Sequence, residues 1–137
     1  MKSKAILGQA EVSQILAAAR REAQGNQWAV SIVIVDDGGH PLALKRLDGA
    51  TPSSAYIATE KARTSALGRR ESKGFEDMVN GGRFAFLSAP VLTPLEGGVP
   101  VVVDGQVIGA VGVSGVKAEQ DAQVARAGAQ CLKDGQA

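Results

Sequence analysis

The sequence has little of what metal centres and disulfide-stabilised folds require. Its 137 residues include one cysteine, Cys131, and one histidine, His40. One cysteine cannot form an intrachain disulfide, and one histidine cannot supply a histidine-rich zinc cage within one chain. We therefore expect neither a disulfide scaffold nor zinc chemistry.

An excess of one charge and a long apolar run are also absent. Fifteen Lys and Arg residues against fourteen Asp and Glu residues give a formal net charge of +1. This balance gives no electrostatic reason to expect nucleic acid or anionic lipid as a partner. No segment approaches the roughly 20 apolar residues of a membrane span, and the N-terminus has no apolar segment of signal-peptide length. We therefore expect a cytoplasmic protein with no membrane partner.

The composition that remains is that of a globular domain with an aliphatic core. Hydrophobic residues make up 45% of the chain and aromatic residues only 4%, so Val, Ile, Leu and Ala must fill the interior. The length suits one core and is too short for two ordinary domains. We expect residues 1–137 to form a single domain.

Three segments have the periodicity of helices. Residues 9–24 repeat apolar side chains at helical spacing, with charged side chains on the other side, and predict an amphipathic helix. Residues 118–132 predict a second helix of small side chains. A third helix is predicted to start with Ser53 or Ser54 as its cap and to end at Gly68.

Two hairpins are predicted between these helices. Residues 28–48 form two apolar runs that turn at residues 36–39, and residues 99–113 turn at Asp104-Gly105, a pair that suits a type I′ turn. Tight hairpins imply antiparallel pairing, so the pattern favours an α+β fold. Residues 69–82 are polar and predict a surface excursion with at most a short helical turn.

The first candidate site residues lie in the first hairpin, at its tip and at the end of its second strand. Arg46 and Asp48 end its second strand, where a guanidinium can hold a carboxylate bidentately and the aspartate can orient it. The structural alternative is a surface pair with ordinary turn chemistry. His40, at the hairpin tip, could ligate iron or act as a general base, and the alternative is an exposed turn residue.

The second group of candidates lies on the central helix and near the second hairpin. Lys61 falls on the helix face expected against the sheet, where an ammonium needs a partner, whereas Glu60 beside it reads more simply as a solvated charge. An anionic group could bind to backbone N–H groups near glycines and to a serine that precedes a helix. The alternative is that these residues only allow the chain to turn. These residues are Gly97, Gly98, Ser114 and Gly115.

Five segments, taken together and in order, resemble one family. They are IVDDGG at 34–39, RLDGA at 46–50, residues 54–64 with the EKA triplet at 60–62, GGVP at 97–100 and DGQVIGAVGVSG at 104–115. This set is similar to the GlcG/HbpS family of small haem-binding proteins, which is related to the C-terminal domain of PduO-type corrinoid adenosyltransferases. The resemblance implies a profilin-like antiparallel sheet with helices on both faces, a homo-oligomer, and haem or corrinoid binding.

The family pattern includes a haem-ligating histidine in the N-terminal helical region, and residues 9–24 contain none. If haem binds, another ligand must take that place. The remaining candidates are His40, Cys131, Tyr56, Met78 or an arrangement at a subunit interface.

Three functional hypotheses follow. The resemblance favours a tetrapyrrole-binding oligomer in which Arg46 or Lys61 meets the propionates. The local residues favour an enzyme or binding protein for a carboxylate-bearing catabolite, with Arg46 on the carboxylate. The resemblance implies that this catabolite belongs to glycolate, diol or aromatic degradation. In that second hypothesis Gly98 and Ser114 donate hydrogen bonds and a carboxylate of Asp36, Asp48 or Glu60 moves a proton. The third hypothesis is a scaffold without a ligand.

Overall fold

A computed structural model describes residues 1–132 as a four-stranded sheet between two layers of helices. The predicted α+β class is confirmed. The helices are α1 (Gln9–Gly25), α2 (Pro52–Gly68), α3 (Lys73–Asn80) and α4 (Ala118–Ala129), and a 3₁₀ turn spans Phe84–Ser88. The strands are β1 (Ser31–Asp36), β2 (Pro41–Arg46), β3 (Gly98–Val103) and β4 (Gln106–Ser114).

The sheet has the strand order β2-β1-β4-β3, and all its pairings are antiparallel. Both predicted hairpins are present, one at each edge. In the β3–β4 turn, Asp104 has a φ of 52° and Gly105 a φ of 74°. Positive φ at both central positions is the signature of a type I′ turn, which confirms the prediction from the Asp-Gly pair.

The two faces of the sheet are covered by different helices. Ile32 and Ile34 of β1 belong to the core shared with α1 and α4, whereas Val33 and Val35 pack with α2. Successive side chains of a strand point to opposite faces of the sheet, so the apolar strand β1 packs against helices on both faces. The expected arrangement with helices on both faces is confirmed.

Helix α2 approaches the sheet at a pair of glycines. Gly98 and Gly112 face each other across β3 and β4. A Cβ on Gly112 would overlap the Ala58 carbonyl oxygen and the Ala62 amide nitrogen, and one on Gly98 would overlap the Lys61 carbonyl. Helix α2 therefore rests its backbone on a surface without side chains.

The predicted serine caps of α2 are wrong. The helix begins at Pro52, with Thr51 as the N-cap residue and no side-chain cap. Proline is favoured at the first helical position because its missing N–H would have no partner there. Ser54 instead lies inside the helix, donates to the Thr51 carbonyl at 2.5 Å and lies 2.8 Å from the Ser31 hydroxyl.

The segment 69–82 is more than a surface excursion. It contains the full helix α3, and Ser72 and Phe75 are buried. Phe75 stacks on Phe86 of the 3₁₀ turn, with ring centroids 5.2 Å apart. Ser72 pairs with the outer edge of β3, because its N–H donates to the Gly98 carbonyl and its Oγ accepts from the Gly98 N–H. The polar sequence of this segment does not predict these contacts, because the partner residues lie far away in the chain.

The C-terminal helix α4 ends at Ala129, and after a turn at Gln130 residues 131 and 132 are helical again, as far as the predicted end at 132. Among residues 1–132, no helix has both the length and the hydropathy needed to cross a membrane.

Candidate functional site

The candidate site is a groove between α1 and the edge strand β2, which we call the α1–β2 groove. It consists of two adjacent cavities, of about 590 Å³ and about 430 Å³. The first lies beside the N-terminal halves of both elements and the second beside their C-terminal ends. Cavities of these sizes are typical of small-molecule sites.

The larger cavity has no charged side chain, and its lining mixes aliphatic side chains with the polar Gln9 and Ser13. Leu16 of α1 and Leu42 of β2 are partly exposed along it. The aliphatic part of this lining gains free energy by covering an apolar ligand, and the lining has no charge with which to pair a charged one. The complete lining is Leu7, Gly8, Gln9, Val12, Ser13, Leu16, Pro41, Leu42 and Ala43.

The smaller cavity is a cationic end. It gathers Arg20 from α1 with Lys45 and Arg46 from β2, and it includes Asp48. Within residues 1–132, none of these three cations makes an ion pair or side-chain hydrogen bond. Arg46 and Asp48 therefore share a cavity, as their spacing suggested, without forming an ion pair. Gln24, Gln27, Trp28, Ala29 and Leu47 complete this lining.

Sequence reasoning missed most of the cationic end. Arg20 belongs to the polar face of the amphipathic helix, and Lys45 precedes Arg46 in the strand. The local sequence therefore indicates only that each is a solvated surface charge. Trp28, between α1 and β1, belongs by its sequence pattern only to the first hairpin. The residues meet because the β1–β2 hairpin carries β2 to the edge beside α1, which no local pattern specifies.

His40 and Asp36 lie together at the β1–β2 turn. The Asp36 Oδ1 accepts hydrogen bonds from the N–H groups of Gly38 at 3.0 Å and His40 at 2.9 Å, and lies 3.1 Å from His40 Nδ1. Partial burial works to raise the pKa of Asp36, but these donors hold it below its usual value. The carboxylate orders the turn, and the imidazole side chain remains 78% exposed.

Lys61 is buried, as its helix face predicted, and it has the required partner. Its Nζ donates to the Val113 carbonyl at 3.0 Å and to Asp121 Oδ2 at 3.1 Å. Burial raises the pKa of Asp121, while Lys61 and the N–H of Val116 oppose that rise. A Cβ on Gly97 would lie 2.8 Å from the Lys61 Nζ, so this glycine leaves room for the ammonium.

The other predicted binding residues belong to the end of the sheet near Lys61. Ser114 pairs with Ser31 in the sheet and is 7% exposed. Gly115 has a φ of 149°, and a Cβ there would lie 2.5 Å from the Ala29 carbonyl. These contacts, and those of Gly98 with Ser72, give each residue a structural role; none of them lines the α1–β2 groove.

The three predicted proton-transfer carboxylates lie on different elements. Asp36 caps the β1–β2 turn, Asp48 lies in the cationic end, and Glu60 on α2 forms an ion pair with Arg63 at 3.0 Å. Only Asp48 shares a cavity with Arg46, so the structure does not assemble the three into one site.

No cluster of three or more metal-ligating side chains occurs within residues 1–132. Of the four proposed iron ligands, none lines the groove, although His40 directly precedes Pro41 in its lining. Tyr56 is exposed on α2, Met78 is on α3, and Cys131 lies beside a separate cavity between α1 and the C-terminal helix.

Known proteins resemble this chain over most of its length. A family model described as haem degrading protein HbpS-like matches residues 7–130. The chain is 67% identical to the protein GlcG of Escherichia coli K12 over 114 residues, which cover 83% of this chain and 85% of GlcG.

Two solved structures have closely similar folds. The Klebsiella pneumoniae protein ORFY has a TM-score of 0.87 and 32% identity, covering 97% of this chain and 96% of ORFY. The structure of the PduOC:haem complex has a TM-score of 0.82 and 28% identity, covering 93% of this chain and 95% of PduOC.

Proposed function

Because the chain belongs to the HbpS-like family of haem-degrading proteins, we propose that it binds a tetrapyrrole such as haem in the α1–β2 groove. The observation that supports this proposal is the charge pattern of the groove, which is uncharged and partly aliphatic along one cavity and cationic in the next. A haem has the same polarity, with an apolar ring and two propionates on one edge. A related protein, PduOC, has been solved as a complex with haem.

The side chains of the groove fit the ring of such a ligand. Val12 and Leu16 of α1 and Leu42 and Ala43 of β2 line the uncharged cavity, and covering their apolar surface would gain about 25 cal/mol per Å². The chain's contribution is to hold the ring in place and exclude water from one side. Bound haem would supply the iron chemistry.

His40 is the residue best placed to reach the iron. It precedes Pro41 of the groove, and Asp36 holds its Nδ1, which leaves Nε2 as the ligating nitrogen. A carboxylate behind an imidazole orients it, as in many metal sites. In this proposal Asp36 is a positioning residue.

The proposed working form is a homo-oligomer in the cytoplasm. Large apolar side chains remain exposed on β2 and in and near the 3₁₀ turn, and a second subunit would cover such positions. Outside the groove, they are Leu44, Phe84, Leu87 and Val91.

A hemin titration followed by visible spectroscopy tests the function. We expect a saturable Soret shift and quenching of Trp28, the only tryptophan. Ser13→Phe places a bulky side chain on the exposed wall of the groove and should weaken hemin binding. Gln14→Phe, the neighbouring exposed position outside the lining, is the matched control. Equal binding by both variants would exclude the groove, and loss of the ligated spectrum in His40→Ala would identify the iron ligand.

A second candidate is a binding protein or enzyme for a small carboxylate-bearing catabolite. The cationic end favours it, because its 430 Å³ would hold a small anion beside Arg46 with Asp48 available for proton transfer. In that reading the N–H of Gly98 and the hydroxyl of Ser114 would act only after local rearrangement. Thermal stabilisation by small carboxylates, abolished in Arg46→Ala and present without any hemin response, would favour this candidate.

A further inference from the structure

The sheet has one covered edge and one open edge. At the outer edge of β3, the N–H and C=O of Gly98 both bond to Ser72. Pro100, two residues on and facing the same way, has no N–H to offer. Such features keep an edge strand from pairing with another chain. At the opposite edge, β2 has β1 as its only strand partner within residues 1–132.

The outward backbone groups of β2 belong to Leu44 and Arg46. Just after the strand, the Leu47 N–H donates to the Val30 carbonyl on the β1 side. In an antiparallel pair, residues that bond to the neighbouring strand alternate with residues that face away from it. The N–H and C=O of Leu44 and Arg46 therefore point away from β1, and residues 1–132 give them no hydrogen-bond partner.

The side chains along this open edge include exposed leucines. Leu42 is 42% exposed and Leu44 is 51% exposed, and Leu44 lies outside both cavities of the α1–β2 groove. Because Leu44 pairs with Val33, its side chain is on the α2 face of the sheet. A second strand at this edge would bond to the open backbone groups and cover the leucines at the same time.

Resting on the proposed homo-oligomer, we infer that a second copy of this chain pairs its β2 antiparallel with this β2, across a two-fold axis at Leu44. The pairing joins two four-stranded sheets into one continuous sheet. Because the β3 edge is covered, each copy has one open edge, so the pairing closes after two copies and does not propagate into a fibre.

Charge and strand regularity select the axis at Leu44. In this register Leu44 lies opposite its own counterpart, and Lys45 lies opposite Ala43 of the second copy. An axis at Lys45 would place two ammonium groups directly opposite each other, which is destabilising. An axis at Ala43 would make each outward-facing pair depend on Leu42, which lies where the β1–β2 register is irregular.

Leu44→Pro tests the pairing. Proline removes one outward N–H from each copy and so two hydrogen bonds at the axis, whereas the bonds from β2 to β1 remain. We expect wild type to contain an even number of copies by sedimentation equilibrium, and the variant to raise the dissociation constant at least about tenfold. Leu44→Val, which keeps the N–H and an apolar side chain, is the matched control and should assemble like wild type.

Cysteine cross-linking tests the register even if Leu44→Pro fails to fold. All chains carry Cys131→Ser, and Ala43→Cys is co-expressed with Lys45→Cys. The two positions should form a disulfide between copies, because directly opposed residues of a non-hydrogen-bonded pair have Cα atoms about 4.5 Å apart, within disulfide range. Each cysteine chain expressed alone should form no intermolecular disulfide.

The results that overturn the inference are distinguishable. A disulfide in Lys45→Cys alone would move the axis to Lys45 and refute the register. An assembly that is insensitive to Leu44→Pro but lost in Phe84→Asp would place the interface at the 3₁₀ turn, so the β2 pairing is wrong while the homo-oligomer stands. A wild type that is monomeric at every concentration would refute both, and the hemin titration would still decide ligand binding separately.

Discussion

Lys61 on α2 and Asp121 on α4 are joined by a buried hydrogen-bonded ion pair, with 3.1 Å between Nζ and Oδ2. The two helices cover opposite faces of the sheet, so the lysine reaches past the end of β4, where it also binds the Val113 carbonyl. Asp121 in turn accepts from the Val116 N–H. This pair connects the two helical layers around the sheet.

Removing one partner of this pair should be costly. In Lys61→Met the Asp121 carboxylate stays buried without its countercharge, and we expect a loss of about 3–5 kcal/mol in the free energy of unfolding. Urea denaturation measures this loss. The double variant Lys61→Met/Asp121→Asn should recover much of it, because the amide oxygen can still accept from Val116. A single variant as stable as wild type would show that the pair contributes nothing.

The close approach of the α2 backbone to Gly112 of the sheet gives a second prediction. Gly112→Ala places a methyl group against the backbone of Ala58 and Ala62, which cannot rotate away. We expect destabilisation of about 3 kcal/mol or more, at the upper end for overpacking. Gly25→Ala is the control, because a Cβ there meets nothing within 4 Å and its φ is not positive. Equal melting temperatures for the two variants would refute the close approach.

Ser72 gives a third prediction through its two hydrogen bonds. Its Oγ accepts from the Gly98 N–H at 2.8 Å and donates to the Leu95 carbonyl at 2.5 Å. Ser72→Ala leaves both groups without that partner at a buried edge of β3, so we expect a loss of about 1–3 kcal/mol. The exposed Ser88→Ala should change stability by less than about 0.5 kcal/mol. Faster hydrogen exchange at the Gly98 amide would locate the effect.

The β1–β2 turn should make stability depend on acid pH through Asp36. Its pKa is lower in the folded chain than in the unfolded one, so the folded carboxylate contributes stability at neutral pH that is lost as the pH falls through the folded value. In Asp36→Asn this contribution is absent. The stability difference between wild type and variant should therefore be largest near pH 7 and shrink below about pH 4.

A difference that stays constant from neutral to acid pH would mean that Asp36 acts only as a turn acceptor, independent of its charge. Asp104→Asn, in the other hairpin turn, is the control, because an asparagine also tolerates the left-handed conformation there. Its stability relative to wild type should follow no comparable trend.

Local rules specified the elements of this protein and part of its site. Helical spacing placed α1 and α4, the Asp104-Gly105 pair fixed a type I′ turn, and the face occupied by Lys61 required a partner. Each of these depends on residues a few positions apart, whose geometry the chain imposes on itself. The sequence pattern also carried the family resemblance.

Tertiary structure determined the contacts between residues that are distant in the sequence. It selected Asp121 as the partner of Lys61, 60 residues away, and brought Ser72 onto the edge of β3. It also gathered Arg20 with Lys45 and Arg46, each of which has an ordinary local reading as a surface charge. Such contacts form between elements that meet only when the sheet assembles, because packing of distant segments sets which side chains share a cavity.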